Sequence, residues 1–386
     1  MVSRRGQVAP FHVMEVMKAV AERRRTHDDV ILLCVGQPST PAPAPALAAA
    51  QAALGADSLG YTEAVGLRPL RERLARYYAD TYDVDVDPDA LIITTGSSAG
   101  FQLALLAAFD AGDTVVMARP GYPAYRNDLV ALGCRVVDLE CGPETRFQPT
   151  VAMMEALPEV PQGLVVASPS NPTGTIIDPD ELAALARWCA AHDCLLLSDE
   201  IYHGISFGRR TASAWEFAPQ HSVVVGSVSK YWSMTGWRLG WLLLPDALRR
   251  PVELLQGNLA ICAPTLSQVA AIAALEPDAR AEMDAHVVRY AANRDVLLRR
   301  LPELGITSFA PPDGAFYAYL DVGHLTQDSQ AWCAELLADT GVALAPGIDF
   351  DPETGHRHVR LSFCGETADL EIGLDRLQGW LSRSRA

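Results

Sequence analysis

Lysine is nearly absent from this chain. Of 386 residues only Lys18 and Lys230 carry an ε-amine, and arginine supplies every other fixed cation. The basic residues form no patch; the one run of three, Arg23-Arg24-Arg25, reads as the wet side of a helix. With a formal net charge of -16, this argues against nucleic acid and anionic membranes as partners, because both reward basic surfaces. The eight cysteines (34, 134, 141, 189, 194, 262, 333 and 364) include no Cys-x-x-Cys pair and no metal-ligand spacing with histidine. No metal site is expected, and the apolar surroundings of most of these cysteines point to buried, reduced thiols. No apolar run approaches the roughly 20 residues of a spanning helix. The N-terminal stretch MVSRRGQVAPFHVMEVMKAV is basic but not continuously apolar, so it reads as neither signal peptide nor anchor. A cytoplasmic protein is expected.

What is present is the balance of a globular protein, 49% apolar and 20% charged. The length exceeds what one core usually supports, so two domains, or one large domain with an appendage, are expected. Residues 11–25 carry helical periodicity, Val30-Cys34 reads as a strand, and helices are predicted around 46–54 and 67–80. A strand–helix alternation follows. Strands are predicted at Ala90-Thr94, Thr114-Ala118, Arg135-Leu139, Gly163-Ala167, Cys194-Ser198 and Ser222-Gly226. Helices between them are predicted at 99–109, 125–132, 150–156 and 179–191. The strands are short apolar runs rather than alternations, as expected for a mainly parallel α/β sheet covered on both faces. Beyond about 280 the pattern changes to a helix over 279–301, strands at 306–310 and 315–321, a helix at 328–340, a strand near 357–363 and a final helix. The predicted division is a large α/β domain over 46–285 and a smaller α+β domain from 1–45 with 286–386.

Against that scarcity, Lys230 sits in Gly226-Ser227-Val228-Ser229-Lys230, with Met234-Thr235-Gly236-Trp237-Arg238 shortly after. A lysine amine, unlike a guanidinium, can lose its proton and form a Schiff base with a carbonyl. Small hydroxyl residues before it and Arg238 after it look like a phosphate clamp. An aldehyde cofactor bearing a phosphate, pyridoxal phosphate, fits both features; an ordinary surface lysine is the alternative. In open α/β sheets ligands bind beyond the carboxyl ends of strands, and the informative polar residues fall there. Gly96-Ser97-Ser98 follows one strand and opens a helix, where backbone amides favour a phosphate, although helix capping explains the turn as well. Ser168-Pro169-Ser170-Asn171-Pro172 follows a second strand and fixes one amide side chain. Asp199-Glu200-Ile201-Tyr202 follows a third. A carboxylate there can keep a pyridine nitrogen protonated, and a phenol can donate to the ring hydroxyl.

The motifs SPSNPTGT, SDEIYHG, SVSKYWSMTGWRLGW and HVRLSF, in that order from about Ile31 to Leu381, resemble the class I/II pyridoxal-phosphate-dependent aminotransferases of fold type I. Within that family the chain looks most like actinobacterial aspartate and valine–pyruvate aminotransferases. The resemblance implies a seven-stranded-type, mainly parallel sheet and a role for each matching residue. Lys230 would hold the cofactor and shuttle the proton. Asp199 would pair with the pyridinium nitrogen, and Asn171 and Tyr202 would contact the 3′ oxygen. Ser97, Ser98, Ser227 and Arg238 would bind the phosphate, and Tyr122 would stack on the ring. Tyr61 would reach a phosphate across a homodimer interface. Arg360 would clamp the substrate α-carboxylate, near the Gly36 backbone and Asn171.

Dicarboxylate-specific relatives add a second cation, either near the stretch matching residues 252–265 or after the Gly-Ser-Ser turn. Neither 252–265 nor Phe101 to Phe109 contains Arg or Lys. An unpaired distal carboxylate in a partly buried pocket is costly. The expected donor is therefore a neutral, aliphatic L-amino acid such as valine or alanine, with pyruvate or 2-oxoglutarate as acceptor. Arg209 or Arg210 entering the pocket would overturn this in favour of aspartate. The rivals are a β-elimination lyase on the same fold and a ligand-sensing domain. The sensor is disfavoured by the acidic charge and by the lack of a winged-helix segment before Ile31.

Overall fold

The computed structural model describes residues 1–56 and 59–384. In chain order the elements are α1 (His12–Arg23), β1 (Ile31–Leu32), α2 (Ala44–Ala56), α3 (Arg68–Tyr82), β2 (Leu91–Thr94), α4 (Gly96–Ala108), β3 (Thr114–Arg119) and α5 (Pro123–Leu132). Then come β4 (Arg135–Glu140), α6 (Val151–Glu155), β5 (Gly163–Ala167), α7 (Pro179–Ala191), β6 (Leu195–Asp199), β7 (Ser222–Ser227), β8 (Gly240–Leu243) and α8 (Asp246–Leu259). The chain closes with α9 (Thr265–Ala274), α10 (Pro277–Glu303), β9 (Tyr317–Asp321), α11 (Ser329–Thr340), β10 (Val342–Ala343), β11 (Ala345–Pro346), β12 (His358–Ser362) and α12 (Thr367–Ser384).

Seven strands form one sheet in the order β2-β8-β7-β6-β5-β3-β4. Every pair is parallel except those made by β8, which is antiparallel to both β2 and β7. Two reversals across β8 restore the direction, so six strands bring their carboxyl ends to one edge. The alternation of side chains decides why the sheet is covered on both faces. Leu164, Val166, Leu196 and Val224 join one apolar cluster, while Val165, Leu197, Val223 and Val225 join another on the opposite face. Each such side chain contributes about 1.5–3 kcal/mol through burial, and none of these residues tolerates a one-residue slip. Local signals set the helix ends. Asp178 accepts from the Asp180 amide and Pro179 follows it at the start of α7, while Gly133 ends α5 in the left-handed region.

The rest of the chain forms a three-stranded antiparallel sheet, β11-β12-β9, and a short parallel pair, β1-β10. That pair ties the N-terminal segment to the C-terminal part, with Ile31 opposite Val342. Three expectations require correction. Residues 306–310 do not form a strand; a single bridge, Phe309 to Leu320, is all that they make, because Pro311 and Pro312 lack the N–H that would extend a ladder. Strand β8 was not anticipated. Its short apolar run follows the Lys230 segment with no intervening α-helix, and it returns antiparallel rather than by a βαβ crossover. Helix α4 begins at Gly96 rather than Ala99, which places Ser97 and Ser98 in its first turn.

Candidate active site

A cavity of about 460 Å³ lies at the carboxyl edge of the large sheet. Gly36, Ser97, Ser98, Tyr122, Asn171, Asp199, Tyr202, Lys230, Arg238 and Arg360 all line it, so residues scattered over most of the sequence meet at one place. Two predicted site residues do not line it. Tyr61 is 82% exposed on the outer surface. Ser227 is buried behind the wall, where its hydroxyl donates to the Leu239 carbonyl at 3.0 Å and lies 2.9 Å from that of Ser229, which does line the cavity.

Lys230 leaves the end of β7 and points its Nζ at the Gly36 carbonyl, 2.8 Å away. It keeps some surface open to the cavity, yet desolvation pulls its ammonium down to about 8. The nearby Cys364 thiol and Asp199 oppose that fall, while the positive charges of Arg360 and Arg238 reinforce it. An amine so placed carries or releases its proton near neutral pH, as a base needs. Gly36 permits the close approach: a Cβ there would lie 1.6 Å from Tyr317 Oη.

Asp199 ends β6. Burial pushes its carboxyl up to about 6, against the hydrogen bonds from Tyr125 Oη and the Ile201 amide and the charge of Lys230. Tyr202 sits one turn on and shares a 2.9 Å hydrogen bond with Tyr317. Arg360, buried on β12, donates through Nη1 to Asn171 Oδ1 at 2.8 Å and through Nη2 to the Cys34 carbonyl. The Tyr317 and Phe350 rings lie 4.4 and 4.7 Å from its guanidinium carbon. Its Nε has no partner.

A run of five consecutive carbonyls joins these groups. Leu33 accepts from the Ser362 amide, Cys34 from Arg360, Val35 and Gln37 from the Cys364 thiol, and Gly36 from Lys230. At the other end of the cavity, α4 starts without a side-chain cap. Gly96, at φ +76°, makes room for Arg238, whose Nη2 would sit 2.4 Å from a Cβ at that position. Free amides at a helix start, two serine hydroxyls and a guanidinium together make an anion cradle.

Several neighbours were not legible in advance. Tyr125 lies one helical turn after Tyr122 and shares its face, so the spacing of this pair was an available signal. Tyr317 and Cys364 carried none, because their contacts depend on the antiparallel pairing of β9 with β12. A polar cluster behind the cavity was also missed. Glu200 Oε1 accepts from Ser198 Oγ, Ser213 Oγ and the Ala214 amide at 2.9–3.1 Å, while Oε2 has no hydrogen-bond partner and lies 3.6 Å from His203 Nδ1. The Ser168 carbonyl can only accept, so His203 Nε2 carries the proton; Nδ1 of the neutral ring then accepts from Tyr82 Oη at 2.5 Å.

Burial pushes Glu200 up to about 8 and His203 down to about 4. A raised carboxyl makes the folded state bind the extra proton, so Glu200 lowers stability as pH rises from about 4.5 to about 8. His203 acts oppositely between about 4 and 6.5, which leaves the window from 6.5 to 8 to Glu200. Glu200→Gln is expected to flatten the fall of the unfolding midpoint across that window. Parallel midpoint curves for variant and wild type would contradict it.

The donor set suits pyridoxal phosphate: an amine of lowered basicity for its aldehyde, a desolvated carboxyl for its ring nitrogen, and the α4 cradle for its phosphate. Sheet order, strand-end placement and donor set together define a pyridoxal-phosphate enzyme of fold type I. The model of one family, aminotransferase class I and II, matches residues 28–377. The chain belongs to that family and is a pyridoxal-phosphate-dependent transaminase, acting on amino acids and 2-oxo acids. It is 55% identical to the valine–pyruvate aminotransferase of Mycobacterium tuberculosis over 382 residues, 98% of each chain. A crystal structure of an aminotransferase from the same organism superposes with a TM-score of 0.97 at 54% identity, over 99% of both chains. The aspartate aminotransferase of Thermus thermophilus with maleate gives 0.93 at 31% identity, over 98% of this chain and 99% of that one. Among the described residues, no helix is long and apolar enough to cross a membrane.

Proposed function

We propose that the amino donor is a neutral, aliphatic L-amino acid, valine or alanine, and that the acceptor is pyruvate or 2-oxoglutarate. One observation carries this: among the described residues, Arg360 is the only arginine in the cavity wall besides Arg238, which stands beside the α4 cradle. Arg209 and Arg210 turn elsewhere, to Asp178 and Asp313 and to Glu216. The wall beyond is built from Phe11, Val13, Met14 and Met17. The valine–pyruvate activity named for the Mycobacterium tuberculosis relative agrees with this choice.

Pyridoxal phosphate, when bound, supplies the sink for the electron pair left at substrate Cα. The chain supplies the rest. Arg360 holds the α-carboxylate through its fork, beside Asn171 and the Gly36 backbone. Lys230 Nζ, placed beside the Gly36 carbonyl, would be the base that takes the Cα proton and gives it back to the cofactor side. Asp199 would keep the ring nitrogen protonated, Tyr202 and Asn171 would hold the 3′ oxygen, and Tyr122 would lie against the ring. Ser97, Ser98 and Arg238 hold the phosphate, with Ser227 ordering the turn beside it. The decisive experiment mixes holoenzyme with single L-amino acids and no 2-oxo acid. Fast conversion of the cofactor to its amine form by valine or alanine supports the assignment; conversion only by aspartate defeats it. Release of ammonia without conversion identifies a lyase.

We further infer a homodimer in which Tyr61 reaches the phosphate of the neighbouring site. Leu54, Tyr61, Leu259 and Ile261 are all exposed, and the Thr265 hydroxyl holds the Gly60 carbonyl at 2.6 Å, fixing the Tyr61 segment against the start of α9. A monomer in sedimentation would contradict this. A cytoplasmic location is supported by eight free cysteines, seven of them buried. The division into 46–285 and 1–45 with 286–386 is supported by the seven-stranded sheet lying wholly in the first range. The final two positions of the second range lie outside the described residues.

A further inference from the structure

We propose that Asp128 makes this cavity select against a second carboxylate in both half-reactions, so that acceptor as well as donor is a monocarboxylic acid. The inference rests on the aminotransfer assignment above and narrows its acceptor to the pyruvate class.

Five charged side chains line the cavity: Asp128, Asp199, Lys230, Arg238 and Arg360. Four are engaged. Lys230 donates to Gly36, Arg360 to Asn171 and Cys34, and Arg238 to the Thr235 carbonyl, while Asp199 accepts from Tyr125 and Ile201. Asp128 is hydrogen-bonded to a neutral side chain outside this set. It lies on α5 one turn beyond Tyr125, and therefore on the face that Tyr125 and Tyr122 present to the cavity. Burial pushes its carboxyl up from the ordinary value, and a hydrogen bond with the Gln102 side chain opposes that rise in favour of the charged form. Among the described residues it forms no ion pair. Its negative charge is felt at the Tyr122 phenol, which it helps to push upward.

Both substrates of a transaminase occupy the same cavity in turn, each with its α-carboxylate on Arg360. Arg360 is fixed by two hydrogen bonds and two flanking rings, so it cannot follow a second carboxylate. Phe11, Met14, Met17 and Asp128 line the same cavity and form the wall against which we infer the distal group lies. For an aliphatic side chain this wall is favourable. A distal carboxylate would lose water, gain no cation and face a like charge. Such a repulsive element discriminates even where the attractive contacts of two substrates are equal. The wall acts on 2-oxoglutarate and oxaloacetate as it does on glutamate and aspartate.

The test uses holoenzyme and two carboxylates that cannot transfer an amino group, maleate and isovalerate, titrated calorimetrically. Asp128→Asn is expected to tighten maleate by roughly tenfold, the effect of removing one partly screened charge, and to leave isovalerate within about twofold. The glutamate-to-valine ratio of half-reaction rates should rise in step. Met14→Arg, at a half-exposed rim position, should tighten maleate by a similar factor without depending on the fold around α5. A maleate-to-isovalerate ratio unchanged by Asp128→Asn overturns the proposal, and all the more clearly if Met14→Arg does tighten maleate. A wild-type enzyme that prefers aspartate would instead defeat the donor assignment, and the maleate ratio would still report on Asp128 alone.

Discussion

Lys230→Ala is expected to lower kcat by about four orders of magnitude or more, with the protein still folded. Proton transfer by a positioned side chain alone contributes about 10²–10⁴-fold, and in the role proposed for it this side chain also carries the covalent attachment of the cofactor. No second amine can substitute. Lys18 lies on the exposed face of α1, 2.7 Å from Glu15, and does not line the cavity. The loss should be chemical rather than structural, because the Gly36 carbonyl left behind opens onto the cavity and can accept from water. Single-turnover measurements with valine check this. Activity near that of the wild type would remove Lys230 from the mechanism.

Arg360→Lys is expected to cost about a hundredfold or more in kcat/KM, mostly through KM. The guanidinium serves three masters at once: Asn171, the Cys34 carbonyl and the incoming carboxylate. Asn171 and Cys34 take one N–H each of its five, which leaves a further hydrogen on each terminal nitrogen for that third role. An ammonium keeps the charge but is a point donor on a flexible stem and cannot hold all three in one plane. A hydrogen bond to a charged group contributes roughly 1.5–3 kcal/mol, which sets the scale of the loss. A KM within threefold of the wild type would show that the carboxylate is held elsewhere.

Much of this was readable in the sequence because the fold repeats a local signal. Short apolar runs followed by helical periodicity gave the strand ends, and the strand ends carried Asn171, Asp199 and Lys230. The residues that could not be read are those whose role depends on distance across the chain. Tyr125, which was missed, reaches Asp199 over 74 positions; Arg360, whose contact with Asn171 spans 189, was named only through the likeness of HVRLSF to a known family. Neither separation follows from periodicity, and only the order of strands in the sheet brings them together. Strand β8 escaped because an antiparallel return needs no helix to announce it. The stretch 306–310 misled in the other direction: its composition is strand-like, but the prolines after it deny it a partner. Glu200 had no role assigned to it in the sequence, whereas it is 5% exposed and surrounded by hydroxyls and an imidazole.

The five carbonyls from Leu33 to Gln37 have a consequence for how this protein tolerates change in length. Surface loops elsewhere in such a chain absorb an added residue at little cost. Here one added residue would move the Cys34 and Gly36 oxygens out of step with each other, and with them the guanidinium and the amine. In the roles proposed for Arg360 and Lys230, the segment would work as a ruler, setting how far the carboxylate end of a substrate sits from the carbon that loses its proton.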